Sequence, residues 1–168
     1  MAEGILRTRA AEAGLELTVS SAGIYHGGAP ATDNAVAVCA DRGVDISNHV
    51  SRRLDHSMIE QADLVIAMTR EHLREAVVTD PTAFDRTFTL RELVRRLGDS
   101  PNATLAEVAA GRDLADYVKA SADDDVADPV GQSRRVYETT VSQLDGLLSR
   151  LVAWMRTLDA ANETKAAS

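Results

Sequence analysis

Cysteine is almost absent from this sequence, since the 168 residues contain only one, Cys39. A single cysteine cannot form an internal disulfide, a C-x-x-C redox pair or a thiolate metal cluster. The four histidines do not fall at the spacings of metal ligands either. We therefore expect no metal and no other cofactor, and we expect a cytoplasmic protein because nothing indicates an oxidising compartment.

Positive charge and long apolar runs are also scarce. The chain has 18 Lys and Arg residues against 26 Asp and Glu residues, a net charge of −8. Nucleic acids and anionic membranes bind surfaces of net positive charge. Residues 1–14 carry four charged side chains, too many for a signal peptide or a membrane span. The sequence thus predicts neither a nucleic acid nor a membrane as partner, and it leaves the oligomeric state undefined.

Aromatic residues make up only 4% of the chain, whereas 45% of its residues are hydrophobic. The core should therefore consist mainly of aliphatic side chains. A chain of this length can bury the core of one ordinary domain. We place that domain over residues 1–158 and expect the small and polar residues 159–168 to form a disordered tail.

Predicted helices and strands alternate along the domain. Periodicity and end signals predict strands over 15–21, 62–68 and 86–90, and helices over 2–13, 34–42, 55–61, 70–78, 91–97, 104–110 and 132–157, with a further turn or two over 113–120. This alternation is typical of an α/β fold with an open, mostly parallel sheet. The apolar stripe of the last helix, from Tyr137 to Leu158, favours packing on that sheet over a dimerising coiled coil.

Two local features of the sequence are candidates for catalytic groups. Cys39 lies within an apolar helical stretch, with no helix N-terminus or neighbouring histidine to generate a thiolate. A C-x5-R phosphate loop starting there would need arginine at position 45, which is Asp. We therefore interpret Cys39 as a buried structural residue. Asp128-Pro129, which follows a solvated run of aspartates at 123–125, is either a turn or the site of a carboxylic acid that donates a proton near a phosphate.

Several segments occur in the same order as in one known family. They are MAEG at 1–4, SSAG at 20–23, a helix and loop ending in HVSRRL over 35–54, ADLVIAM with REHL over 62–73, and VADP at 126–129 before the last helix. In this order they resemble the low-molecular-weight protein-tyrosine phosphatases, a family that includes related arsenate reductases. The resemblance covers roughly residues 1–157.

This resemblance implies a four-stranded parallel sheet in the order 2-1-3-4, flanked by helices, whose first and central strand is absent from this chain. It also implies hydrolysis of phosphotyrosine in a protein substrate. In the family, the thiolate of a C-x-x-x-x-x-R-S-P loop attacks phosphorus, and the arginine of the loop binds the phosphate. No C-x5-R motif occurs in the 168 residues, so we expect them to be inactive alone.

The family's phosphate loop leads into a helix like the one at which this sequence begins. We therefore expect Met1 to be an internal methionine of a longer protein, which the in-frame codons upstream of Met1 would reveal. The alternative is a truncated, non-catalytic binding module. Arsenate reduction is a third possibility, but the thioredoxin-coupled reductases need further cysteines for a disulfide relay, and this chain has only Cys39.

Candidate site residues follow from the same resemblance. Asp128 matches the general acid that protonates the departing tyrosine oxygen and then activates water. Ser21 and His49 match residues that brace the phosphate loop through hydrogen bonds. Tyr25 and His26 fall in the loop that flanks the substrate ring. The resemblance implies no metal ligand.

Overall fold

The computed structural model of the protein describes residues 1–25, 27–113 and 122–166. The helices are α1 (Ala2–Glu12), α2 (Asp33–Ala40), α3 (His56–Glu60), α4 (Arg70–Thr79), α5 (Leu90–Asp99), α6 (Leu105–Ala109) and α7 (Arg134–Ala166), and the strands are β1 (Val65–Ala67) and β2 (Thr87–Thr89). Short 3-10 helices cover Pro81–Arg86 and Ala122–Asp124. The turn predicted over 113–120 falls on residues outside the described ranges, apart from its first residue.

The chain divides into two compact units. One consists of Met1–Arg52 with Asp128–Ser168, and the other of Arg53–Ala127. No helix within the described ranges is both long and apolar enough to span a lipid bilayer.

The first unit is built around α7, whose predicted apolar stripe is buried. Five of its side chains are at most 3% exposed, namely Tyr137, Val141, Leu144, Leu148 and Leu151. Within this unit the face packs against α1 and α2, and packing of the helix on a sheet stays a prediction. Polar contacts join the same helices. Thr32, the N-cap of α2, donates a hydrogen bond to the Tyr137 hydroxyl (3.0 Å). Arg9 of α1 donates two hydrogen bonds to Asp145 of α7.

The last helix is longer than its periodicity predicted. It runs to Ala166 rather than ending near residue 157. Residues 159–166 contain several good helix formers, and these can continue a helix after its apolar stripe has ended. A domain boundary at residue 158 stays a prediction.

Residues 15–21 do not form the strand predicted from their alternation. Leu15 is buried, but Leu17 is 38% exposed, and among the described residues no ladder pairs with this segment. A strand needs a neighbour with which its backbone N–H and C=O groups exchange hydrogen bonds. The alternation therefore identifies a segment suited to a sheet, while pairing decides whether it becomes a strand.

The second unit holds the parallel sheet of the α/β fold. In the register of the two strands, Val65, Ile66 and Ala67 lie opposite Thr87, Phe88 and Thr89. Helix α4 packs against both strands and α5 against β2. A parallel sheet flanked by helices is thus confirmed. The described residues contain two strands rather than four, so the order 2-1-3-4 is not observed, in part because residues 15–21 do not join a ladder.

Threonine caps set the starts of the helices that follow the strands. Thr69 accepts a hydrogen bond from the backbone N–H of His72 at the start of α4, and Thr89 accepts one from Glu92 at the start of α5. At the start of α6, Thr104 and Glu107 form a capping box. Such caps satisfy N–H groups that have no partner within the helix, and they direct the chain away from the carboxyl ends of the strands.

The aspartates that precede Asp128 are not simply solvated, which corrects the interpretation made from sequence. Asp125 accepts hydrogen bonds from the backbone N–H of Arg70 (2.8 Å) and from its guanidinium (3.2 and 3.3 Å), and Asp124 accepts two from Arg95. Burial opposes ionisation of Asp125, but the hydrogen bonds and charge of Arg70 outweigh it and lower the pKa of this carboxyl. Arginine partners, which no short-range pattern indicates, therefore tie this segment to α4 and α5.

A buried arginine lies at the centre of the second unit. The side chain of Arg112 is fully buried, and its guanidinium carbon lies 4.5 Å and 3.8 Å from the ring centroids of Phe84 and Phe88. Its nitrogens donate hydrogen bonds to the carbonyl oxygens of Phe84 (2.7 Å) and Thr87 (2.5 Å) and to the Glu92 carboxylate (3.1 Å). Arg112 thereby connects the residues after α6 to β2 and α5.

Replacing Gly4 of α1 by alanine is expected to destabilise the protein by roughly 1–3 kcal/mol, the usual cost of overpacking a core. A Cβ at Gly4 would lie 2.5 Å from Cγ2 of Ile46 and 3.0 Å from Cγ1 of Val44, both of which are buried. Urea unfolding followed by circular dichroism measures the change. The control is Gly146→Ala in α7, where an added Cβ meets nothing within 4 Å, and it should stabilise by up to about 1 kcal/mol. Stabilisation by both variants would contradict tight packing at Gly4.

Candidate active site

A cleft of about 490 Å³ lies in the first unit, at the N-terminus of α1. One wall is formed by the start of α1, including Glu3 and Arg7, and the other by the segment from Asp45 to Arg52, including His49. Met1, the N-cap of α1, provides no side-chain cap. The N–H groups of the first turn can therefore meet an acceptor from another segment or a ligand, and a helix N-terminus favours an anionic one.

The carboxylate of Glu3 is the centre of a polar cluster in this cleft. Ser21 donates a hydrogen bond to its Oε2 (2.5 Å), and Arg7 donates one to its Oε1 (2.9 Å). Nδ1 of His49 lies 3.7 Å from Oε2, close enough for an ion pair when the imidazole is protonated. One side chain of α1 therefore holds two loop residues that are 28 positions apart in sequence, Ser21 and His49.

The electrostatics of the cluster keep Glu3 ionised. Burial is the largest influence and favours the neutral acid, but it is outweighed by the hydrogen bonds from Ser21 and Arg7 and by the charges of His49 and Arg7. Together these lower the pKa of Glu3 below its ordinary value. An ionised Glu3 acts only as an acceptor, so it fixes the donor direction of the Ser21 hydroxyl. A hydroxyl oxygen has two lone pairs, so it can donate to Glu3 and also accept a hydrogen bond from an N–H group.

Two of the predicted site residues, Ser21 and His49, are thus brought together. Their role as braces of a phosphate loop stays a prediction. Glu3 was not predicted as a site residue, although the segment Met1-Ala2-Glu3-Gly4 is one of those that resemble the family. A glutamate in the first turn of a helix is usually explained by the helix dipole. The spacing of Glu3 from Ser21 and His49 in the sequence does not indicate that the three side chains meet.

Tyr25 is exposed on the loop after Ser21, with 70% of its surface accessible. A hydrogen bond from the backbone N–H of Gly23 to the carbonyl of Arg52 (2.9 Å) attaches this loop to the segment that lines the cleft. His26 lies outside the described residues. The position of Tyr25 is compatible with contact to a substrate ring, and that role stays a prediction.

Asp128 is exposed and is not part of the Glu3 cluster. Its Oδ1 accepts a hydrogen bond from the backbone N–H of Val130 (2.9 Å), while Pro129 between them is buried. This is the turn that the sequence offered as one interpretation of Asp-Pro. The second carboxylate oxygen, Oδ2, makes no hydrogen bond to the described residues, so the turn and a role as proton donor are compatible.

Cys39 has the buried position that was predicted for it. Its side chain is fully inaccessible within α2, and burial raises the pKa of the thiol. A buried, protonated thiol is a poor nucleophile. Cys39 is therefore a core residue, and the 168 residues contain no other cysteine.

The model of one protein family, described as "Low molecular weight phosphotyrosine protein phosphatase", matches residues 1–103. The chain belongs to this family. It is 31% identical over 157 residues to the protein-arginine-phosphatase of Bacillus subtilis, a match that covers 93% of this chain and 87% of that protein. It is 30% identical over 160 residues to a low molecular weight protein-tyrosine-phosphatase of Streptomyces coelicolor, with 93% and 85% covered.

Solved structures of the low molecular weight phosphatases share the fold. The crystal structure of the protein tyrosine phosphatase from T. tengcongensis matches with a TM-score of 0.70 at 31% identity and covers 90% of this chain and 86% of that chain. The resemblance drawn from ordered sequence segments is thereby confirmed. The family is one of protein phosphatases, and the names of its members include both tyrosine and arginine phosphatases.

Proposed function

We propose that this low molecular weight phosphatase hydrolyses phosphotyrosine in proteins through a phosphocysteine intermediate, and that its 168 residues do so only with a C-x5-R phosphate loop placed next to α1. The cluster of Glu3, Ser21 and His49 at the N-terminus of α1 carries the proposal. It presents hydrogen-bonding groups and a helix N-terminus at the place where the family's phosphate loop leads into this helix.

The chemistry proposed for the site has two steps. The loop thiolate attacks phosphorus and the bond to the tyrosine oxygen breaks, while Asp128 donates a proton to that oxygen. Water then attacks the phosphocysteine and gives its proton to Asp128, which releases phosphate and restores the thiolate. Cys39 cannot replace the loop cysteine, because it is buried and its pKa is raised.

Phosphoarginine is the second candidate substrate. The supporting observation is the Bacillus subtilis relative, which is named a protein-arginine-phosphatase and aligns with 93% of this chain. In that reaction the leaving group is a guanidine nitrogen, and Asp128 would protonate nitrogen instead of oxygen. For either substrate we propose a cytoplasmic location, which the single cysteine supports.

The test compares the 168-residue chain with a joined protein, in which a segment carrying the family's first strand and a C-x-x-x-x-x-R-S-P loop precedes Met1. We expect the chain alone to release no phosphate above background, and the joined protein to hydrolyse a phosphotyrosine peptide. A phosphoarginine peptide is assayed in parallel to decide between the two substrates. The control is the joined protein with the loop cysteine changed to serine, which should be inactive.

Other outcomes would contradict the proposal. A folded joined protein that binds a phosphopeptide without hydrolysing it would favour a binding module. Arsenate reduction with a thiol donor, without hydrolysis of either phosphopeptide, would indicate an arsenate reductase. Phosphate release by the 168-residue chain alone would show that its nucleophile is not a loop cysteine.

A further inference from the structure

The loop that carries Tyr25 is held at both ends by two adjacent residues, Ser51 and Arg52. At its beginning, the backbone N–H of Gly23 donates to the carbonyl of Arg52 (2.9 Å). At its end, the N–H of Gly28 donates to the carbonyl of Ser51 (2.7 Å), and the N–H of Ser51 donates to the carbonyl of Ala29 (2.8 Å). Both described parts of the loop, 23–25 and 27–29, are therefore hydrogen-bonded to the same two residues, Ser51 and Arg52.

The side chains of the same dipeptide add two further bonds. Nε of Arg52 donates to the carbonyl oxygen of Ser21 (2.8 Å), and Oγ of Ser51 accepts from the backbone N–H of Ala29 (3.0 Å). Gly28 has a φ of +94°, a conformation that a side chain would strain, so the bond at its N–H depends on glycine. Five hydrogen bonds in all fix where the loop leaves and rejoins the segment.

Arg52 also connects this loop to the candidate active site. Its side chain lines the cleft that contains Glu3 and His49, and the residue whose carbonyl it holds, Ser21, is the one whose hydroxyl binds Glu3. Arg52 thus binds the backbone of Ser21, and Glu3 binds its side chain. A change at Arg52 can move both the loop and the Glu3 cluster.

The loop holds an exposed aromatic residue between its two anchored ends. Tyr25 is 70% exposed, and an exposed aromatic side chain on an anchored loop loses less conformational freedom when it binds a ligand than one on a free loop. We propose that Ser51 and Arg52 are positioning residues that preorganise the Tyr25 loop for the phosphorylated side chain of the substrate. The proposal rests on the proposed phosphatase function for its substrate, but its structural part is independent of activity.

Hydrogen exchange on the 168-residue chain tests the structural part. In Arg52→Ala, the Gly23 amide should exchange roughly 10-fold faster, because loss of one charged hydrogen bond loosens the anchor by about that factor. Arg52→Lys should restore part of the protection. Arg53→Ala, an exposed arginine next in sequence, is the matched control and should leave Gly23 unchanged. Unchanged exchange of Gly23 in Arg52→Ala would overturn the proposal.

Ser51→Ala provides a second test if Arg52→Ala disturbs the whole unit, which faster exchange within α7 would reveal. This variant removes only the Oγ acceptor, so the Ala29 amide should exchange faster while amides in α7 keep their protection. Equal protection of Ala29 in Ser51→Ala and the unaltered chain would contradict an anchor at this end of the loop.

Kinetics of the joined protein test the link to substrate. Arg52→Ala should raise KM for the phosphopeptide roughly 10-fold, with a smaller effect on kcat, and Arg52→Lys should recover part of it. In a Tyr25→Ala background, Arg52→Ala should raise KM by a smaller factor than it does alone, because the part of its effect that acts through Tyr25 is already lost. Additive effects of the two substitutions would overturn the positioning role. A joined protein without any activity would refute the proposed function, whereas the exchange results would still decide whether the anchor exists.

Discussion

Replacing Arg112 with alanine is expected to lower the free energy of unfolding by about 3–5 kcal/mol, the range for removal of one partner of a buried ion pair. The variant would leave the Glu92 carboxylate, whose side chain is 5% exposed, without one of its cationic donors. It would also remove the donors to the carbonyls of Phe84 and Thr87 and leave a space between two phenyl rings. Arg96 also donates to Glu92 and its side chain is 33% exposed, so Glu92 would keep one ion pair nearer to solvent.

The measurement is hydrogen exchange of the β2 amides together with urea unfolding followed by circular dichroism, since the only tryptophan, Trp154, belongs to the other unit. Arg74→Ala, an exposed arginine on α4, is the matched control and should change stability by less than about 0.5 kcal/mol. In a double-mutant cycle, Glu92→Gln should cost less in the Arg112→Ala background than alone, because the two side chains interact. A loss below about 1 kcal/mol in Arg112→Ala would mean that the ion pair is dispensable.

The contrast between Arg112 and the helix caps shows what sequence patterns can predict. Thr104 and Glu107 form a capping box because the signal lies within four residues, and the apolar stripe of α7 is buried because its periodicity fits a helix. Arg112 gives no such signal, since an arginine in a polar stretch is by default a surface residue. Its partners are 20 to 28 residues away, and only the fold brings them together.

The sheet was predicted less well for a related reason. The runs at 62–68 and 86–90 became β1 and β2, which pair with each other, whereas the run at 15–21 has no ladder among the described residues. Alternation reports which face of a segment can be buried, but strand formation also needs a partner. The apolar stripe of α7 shows that this helix is covered without indicating what covers it, and within its own unit α1 and α2 pack against it.

The candidate site was predicted from an ordered resemblance rather than from spacing. Ser21 and His49 were named because they match family positions, and the structure places both of them beside Glu3. Glu3 itself was missed because only its place in the fold distinguishes it from any other acid in the first turn of a helix. Family motifs therefore identified the region, and the side-chain geometry identified the residue at its centre.

Replacing Asp128 with asparagine in the joined protein is expected to slow hydrolysis of a phosphotyrosine peptide by about 10²–10⁴-fold, the usual contribution of a general acid. The tyrosine oxygen is a poor leaving group that needs a proton. An aryl phosphate with a strongly electron-withdrawing ring needs the proton less, so the same variant should slow its hydrolysis to a smaller extent. The two rates are compared at one pH as kcat/KM, which reports the first step, because the later attack of water on the phosphocysteine is the same for both substrates.

Asparagine is chosen because it separates the two interpretations of Asp128. Its side-chain oxygen can still accept the hydrogen bond from the N–H of Val130, so the turn before α7 is preserved while the proton donor is lost. Asp128→Ala removes both, and Asp124→Asn, four residues before Asp128, controls for a change of charge nearby. If Asp128 serves only the turn, asparagine should leave both rates close to those of the unaltered joined protein and alanine should lower both equally. If Asp128 is the general acid, Asp128→Asn should lower the rate more for the substrate with the more basic leaving group, which is phosphotyrosine.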